Sequence, residues 1–170
     1  MIVLRPVKSH DAPFLAHVCR SSIPLYDTIM PGVFEQLALR FQGGWLPKTY
    51  DLFIVLDDDK PCGMLGTVQL TPSIKYLVAL YLLPEFQRKG IGSQVIEFVN
   101  SRSYSEGIKE LLLMVHKDAF WAIQFFQKNG FELLAAEDDD MSTYASALLK
   151  NWMLFSFILM QRPIMAPDQN

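Results

Sequence analysis

Leu80-Tyr81-Leu82-Leu83-Pro84-Glu85-Phe86-Gln87-Arg88-Lys89-Gly90-Ile91-Gly92-Ser93 joins two segments of different hydrophobic period. Upstream, Ile74 to Leu82 is β-rich and nearly all apolar, which predicts a strand covered on both faces in the middle of a sheet, ended by Pro84. Downstream, Ile91, Val95, Ile96 and Val99 recur at helical spacing until Gly107 supplies a left-handed stop. The junction is therefore strand, glycine loop, helix. Glycines there let the backbone approach a ligand closely, and the open N-H groups and positive dipole end of a helix favour phosphate oxygens. Arg88 and Lys89 add charge at the same mouth. Two common phosphate-binding signatures fail on spacing: a P-loop would need Gly-Lys-Ser/Thr after four intervening residues, and a dinucleotide fingerprint would need a third glycine where Val95 stands.

Working outward, Ile2 to Arg5 reads as a first strand, and Ser9 can cap a helix carrying Phe14, Leu15 and Val18, with Pro13 in its first turn. Val33, Leu37 and Phe41 mark a second helix stopped by Gly43-Gly44. Leu52 to Leu56 and Gly63 to Leu70 form a hairpin about the turn residues Asp57 to Pro61. Beyond the junction come a strand at Glu110 to His116, a helix capped by Asp118 with the stripe Ala119, Ala122, Ile123 and Phe126, and a stop at Gly130. Strands at Phe131 to Ala136 and Trp152 to Met160 flank a polar insert, Glu137 to Asn151, which opens with Asp138-Asp139-Asp140 and predicts a loop or short helix. This order predicts a mixed α+β domain, single over residues 1–170.

A chain of 170 residues can bury a sizeable core, and half of its residues are hydrophobic. The net charge of −3 gives no reason to expect nucleic acid or anionic lipid as a partner. Cys19 and Cys62 stand outside any metal-ligand or C-x-x-C spacing and read as reduced core thiols rather than a disulfide. No segment has the basic and apolar regions of a signal peptide, and the apolar run Met153 to Met160 is far short of the roughly 20 residues of a membrane helix, so a cytoplasmic address is expected. The last strand is apolar on both faces, so it is either covered within the domain or shared in a homodimer.

Gln87, Gly90 and Gly92 match the acetyl-CoA loop pattern Gln/Arg-x-x-Gly-x-Gly/Ala, and the chain resembles the GNAT acyltransferase superfamily. The resemblance extends upstream through Leu80 to Glu85 and downstream to Ala122-Ile123-Gln124-Phe125-Phe126-Gln127-Lys128-Asn129-Gly130-Phe131, similar to the family's second signature helix. The order of elements agrees from Leu4-Arg5-Pro6 onward. The resemblance implies a GNAT-like acyl-CoA N-acyltransferase fold with a central mixed sheet of about six or seven strands, about four helices, and splayed central strands that admit the cofactor. It further implies acetyl-CoA as acyl donor and a small-molecule or peptide amine as acceptor. The pantetheine would pair with backbone at Leu82 and Leu83, and the N-H groups of Arg88, Lys89, Gly90, Ile91, Gly92 and Ser93 would bind the pyrophosphate. An N-H near Tyr81 or Leu82 would stabilise the developing oxyanion.

The residues that move protons depart from the pattern. Where the family's tyrosine acid stands there is Phe126, which can line the cofactor but cannot donate a proton. The usual glutamate base reads as Tyr76, a poor base at its ordinary pKa near 10, and the frequent cofactor-contacting Asn is replaced by Ala119 or Asp118. His116 has the intrinsic pKa for proton shuttling, against an ordinary hydrogen-bonded role at a strand end. Tyr81 can donate to the thiolate or position a water, against ordinary core packing. The aromatics Phe120, Trp121, Phe125, Phe126 and Phe131 read as core packing at helical spacing rather than a ligand cage, and the acidic run Asp138 to Asp140 as a solvated loop rather than a seat for a cationic substrate. Substrate choice in such proteins falls to Ile23 to Gly44 and Glu137 to Asn151, with Tyr26, Asp27 and Glu35 as contacts. Two other readings compete with an active N-acetyltransferase: a CoA-binding module that has lost chemistry, and a purely structural domain.

Overall fold

The computed structural model describes residues 1–135 and 156–167. The expected insert Glu137 to Asn151, its Asp138 to Asp140 run and the start of the last expected strand, Trp152 to Phe155, lie outside the described residues. The elements are β1 (Ile2–Pro6), α1 (Ala12–Tyr26), α2 (Val33–Gln42), β2 (Asp51–Asp57), β3 (Lys60–Thr71), β4 (Ile74–Leu82), α3 (Ile91–Ser105), β5 (Glu110–His116), α4 (Phe120–Lys128), β6 (Glu132–Ala135) and β7 (Phe157–Pro163). They form a mixed seven-stranded sheet in the order β1-β2-β3-β4-β5-β7-β6. Among the described residues the mixed α+β class, the strand count and the four helices are those expected.

The chain's contacts gather in two units, one holding Met1–Val68 with Val78–Phe98, the other Gln69–Leu77 with the described residues from Val99 onward. The first unit carries the core that α1 and α2 build with β2 and β3: Leu15, Val18, Cys19, Phe34, Phe41, Ile54 and Met64 are all buried together. Their recurrence every three or four residues along both helices is why those segments are helical at all, since a short isolated helix is marginal without an apolar face to pack. In the second unit Ile108, Leu111, Leu113, Phe131, Leu159 and Met160 are buried.

Two helix starts differ from expectation. Ser9 opens a single 3-10 turn, Ser9–Asp11, and α1 begins at Ala12 without a side-chain cap. The reason lies in Asp11, whose carboxylate accepts the Lys8 N-H at 2.8 Å and both Arg5 guanidinium nitrogens at 2.8 and 2.9 Å. Hydrogen bonding to Arg5 holds its carboxyl down at about 2. A depressed carboxyl stabilises the fold above the ordinary carboxylate range, near 4, and that contribution is lost as pH falls through 2. Asp11→Asn is expected to cost about 2 kcal/mol at pH 7 and almost nothing near pH 2, as read from thermal melts at the two pH values. At the second start, α4 is entered through Ala119 with no side-chain cap, because Asp118 turns toward His116 instead.

β4 and β5 have the boundaries read from the sequence. β4 is less covered than its apolar composition implies: Lys75, Tyr76 and Leu77 are buried, whereas Val78 to Leu82 are half-buried. Its parallel register with β5 is recorded over four pairs only, Ile74↔Glu110 to Leu77↔Leu113. β7 lies between β5 and β6 and pairs antiparallel with both. Both edges of β7 are thus paired within the chain; Leu159 and Met160 are buried, and Phe157 and Ile158 are half-buried. Among the described residues no helix is long and apolar enough to cross a membrane.

Candidate active site

β4 leaves the sheet into a short turn whose hydrogen bonds are almost fully assigned. The Leu83 N-H donates to the Cys62 carbonyl at 2.8 Å, the Phe86 N-H to Leu83 at 2.9 Å and the Gln87 N-H to Pro84 at 3.2 Å. Along an antiparallel strand the backbone groups of successive residues face opposite edges, so with Leu83 turned toward β3, Leu82 presents its N-H to the other edge. Both Leu83 backbone groups thus have partners within the chain.

Arg88 and Gly90 then adopt left-handed backbone, with φ of +62° and +78°. The Gly90 carbonyl accepts the Gln94 N-H at 3.1 Å, which closes the first turn of α3. The N-H groups of Ile91, Gly92 and Ser93 belong to that first turn, where helical geometry offers no internal acceptor. Ile91, Val95 and Ile96 are buried and anchor the helix by one face, while Arg88, Lys89 and Gly90 are exposed. A Cβ added at Gly90 would meet nothing within 4 Å, so the glycine leaves open space in front of the helix end. Lys89 Nζ lies 5.8 Å from the Phe86 ring centroid. The arrangement is an exposed cationic mouth over a helix N-terminus, which suits a diphosphate.

Tyr81 stands in the same unit. Its ring meets Phe34 edge-on at 5.1 Å and Tyr26 at 6.0 Å between centroids, and Tyr26 stacks on Phe34 at 4.7 Å. The end of α1, the start of α2 and β4 therefore share one aromatic contact. Tyr81 is half-buried against the core. Asp27 accepts the Gly32 N-H at 3.0 Å and ties down the α1–α2 connection; Glu35 is exposed.

The remaining candidates belong to the second unit. Tyr76 is buried, and burial raises its phenol above the ordinary tyrosine range, which removes it as a base at neutral pH. His116 is buried, its Nδ1 accepts the Asp118 N-H at 3.2 Å, the Asp118 carboxylate lies 3.7 Å away and the Phe157 ring stands edge-on at 5.3 Å. With Nδ1 accepting, the neutral ring carries its proton on Nε2, which can donate. Phe126 packs edge-on against Phe125 at 5.1 Å and Phe131 at 5.4 Å. Phe131 is buried as core packing predicts, but Phe120 and Trp121 are exposed, because the buried stripe of α4 runs through Ala119 and Ala122.

Cys19 and Cys62 are free thiols, and burial pushes them up to about 12 and about 11. Among the described residues no group of three or more His, Cys, Asp or Glu side chains gathers as a metal site.

One residue that the sequence reading missed is Gly63. A Cβ there would sit 2.3 Å from the Tyr81 carbonyl oxygen and 3.0 Å from the Leu82 Cα, so β3 approaches β4 as only glycine allows. The signal in the sequence was a glycine inside a strand, which marks close approach without naming the partner.

A family model described as an acetyltransferase (GNAT) domain matches residues 48–133. No curated protein matches the sequence. Among solved structures, an acetyltransferase from Thermus thermophilus superposes with a TM-score of 0.70 at 21% identity, covering 96% of this chain and 97% of that one. The PaiA N-acetyltransferase of Thermoplasma acidophilum, solved in complex with coenzyme A, gives 0.67 at 22% identity over 96% and 99% of the two chains. The ribosomal-protein-S18-alanine N-acetyltransferase of Escherichia coli gives 0.64 at 18% identity over 100% and 98%.

Proposed function

Because the chain belongs to the GNAT acetyltransferase family, we propose that it moves an acetyl group from acetyl-CoA directly to a primary amine of a small molecule or peptide. The observation that carries this reading is the junction from β4 through Gly90 to α3, where left-handed glycine, exposed Arg88 and Lys89 and the first-turn N-H groups converge. The residues present fit a diphosphate. The backbone N-H groups of Arg88 to Ser93 would hold it, and the cations would neutralise part of its charge. A relative of the same fold is described in complex with coenzyme A, and others are described as acetylating spermidine or a ribosomal protein, which supports an amine acceptor.

When bound, acetyl-CoA supplies an acetyl carbonyl and a thiolate leaving group. The amine nitrogen bonds to the carbonyl carbon, the carbon–sulfur bond breaks, the thiolate takes a proton and the amine loses one. Toward this the first unit offers the outward Leu82 N-H to the carbonyl oxygen and the Tyr81 hydroxyl as acid or water-positioning group; His116, the other candidate from the sequence, offers an Nε2–H donor. Tyr76 and Phe126 contribute no proton. Two buried free thiols accord with work in the cytoplasm.

The reading is tested by thiol release from acetyl-CoA against a panel of amines. Turnover with at least one amine is expected. CoA binding without turnover would instead favour a module that has lost chemistry, the alternative that Tyr76 and Phe126 raise. Tyr81→Phe is expected to lower kcat about a hundredfold with little change in KM, and His116→Phe to lower it less. Unchanged kcat in both variants would remove both residues from the mechanism.

A further inference from the structure

We propose that Gln87 is a positioning residue that never touches the pyrophosphate: it holds the Leu82–Leu83 peptide plane so that the neighbouring Leu82 N-H faces the acyl donor. The inference rests on the acetyl-CoA reading of this junction. Gln87 is the first residue of the loop pattern and would pass for a phosphate ligand. Its side chain instead reaches back along the chain, and Nε2 donates to the Leu82 carbonyl at 2.8 Å. The other pole of that same peptide group, the Leu83 N-H, donates to the Cys62 carbonyl, also at 2.8 Å.

One peptide plane is thus pinned at both ends, from β3 on one side and from the loop on the other. Rotation of this plane is what would swing the end of β4, because the two adjoining torsions are its only soft degrees of freedom. Gln87 is itself held, with its N-H on Pro84 at 3.2 Å and extended backbone before the left-handed Arg88. The bond is partly buried, where a lost donor leaves the carbonyl without its protein partner.

The test uses two donors. S-acetyl-pantetheine lacks the pyrophosphate, so a residue that binds phosphate is irrelevant to it, whereas a residue that orients Leu82 serves both donors alike. Gln87→Met is expected to lower kcat/KM by a similar factor, about tenfold, with acetyl-CoA and with S-acetyl-pantetheine. The loss should fall on kcat, with only a modest drop in the thermal midpoint. Gln87→Arg, which restores a donor of similar reach, is expected to recover the S-acetyl-pantetheine rate. If the methionine variant folds poorly, Gln87→Glu repeats the test, since an ionised carboxylate cannot donate. A loss confined to acetyl-CoA would overturn the proposal in favour of direct phosphate contact, and so would unchanged kinetics with both donors. A wild-type protein inert toward both donors would sink the acetyltransferase reading and this proposal with it.

Discussion

Replacing Gly90 by aspartate is expected to weaken CoA binding at least about a hundredfold while leaving the fold as stable as before. The two effects separate because they have different causes. At Gly90 an added Cβ meets no neighbour, so the only direct penalty is left-handed backbone at φ +78°, about 1 kcal/mol and less for aspartate than for most residues. A carboxylate at the head of α3 recovers that loss by accepting first-turn N-H groups and opposing the helix dipole. Those are the groups assigned to the pyrophosphate, and a fixed negative charge among them both occupies the donors and repels the ligand. Gly90→Ala carries the backbone penalty without the charge and should cost roughly tenfold or less in affinity. Calorimetric titration with CoA, beside thermal melts of the free proteins, reads both effects. Unchanged affinity in the aspartate variant would remove the loop from the cofactor site.

Gly63→Ala should be strongly disruptive for a single methyl group. Its Cβ would stand 2.3 Å from the Tyr81 carbonyl oxygen, 2.6 Å from Leu82 Cδ2 and 3.0 Å from Leu82 Cα. The leucine tip can rotate away, but the carbonyl and Cα are backbone and can yield only if β4 shifts. Overpacking of this kind costs about 1–3 kcal/mol, and the shift falls on the residues assigned to acyl-group stabilisation, so activity should fall further than stability. Gly66→Ala on the same strand is the control: its Cβ would lie 3.3 Å from Val78 Cβ and 3.4 Å from Leu52 Cδ2, contacts made by side chains. Urea melts and acetyl-transfer assays at a temperature where both variants stay folded compare the two. Equal stability and activity in Gly63→Ala and the wild type would contradict the close approach.

β4 and β5 were legible to the residue because each is an apolar, β-rich run between strong punctuation: Thr71 to Ser73 and Pro84 around one, Gly107 and Asp118 around the other. The glycine loop was legible for a similar local reason. Its residue types lie within a few positions of one another, and φ at Gly107 is positive, as the left-handed helix stop read there requires. The helix caps were not legible. Ser9 and Asp118 carry suitable side chains at suitable places, yet Arg5 draws Asp11 into an ion pair and His116 faces Asp118, and neither competition shows in capping preferences.

The candidate site divides along the same line. Length, periodicity and the Gln87 to Ser93 pattern determined the fold class and the family, because such features depend on neighbours in the chain. Tertiary structure alone decided that Gln87 turns back to Leu82, that Cys62 takes the Leu83 N-H, that Gly63 must be glycine and that Tyr81 packs on Tyr26 and Phe34. Each is a contact between segments whose separation along the chain carries no periodic signal. Hydrogen-bond direction and close approach become defined only once packing has brought the partners together.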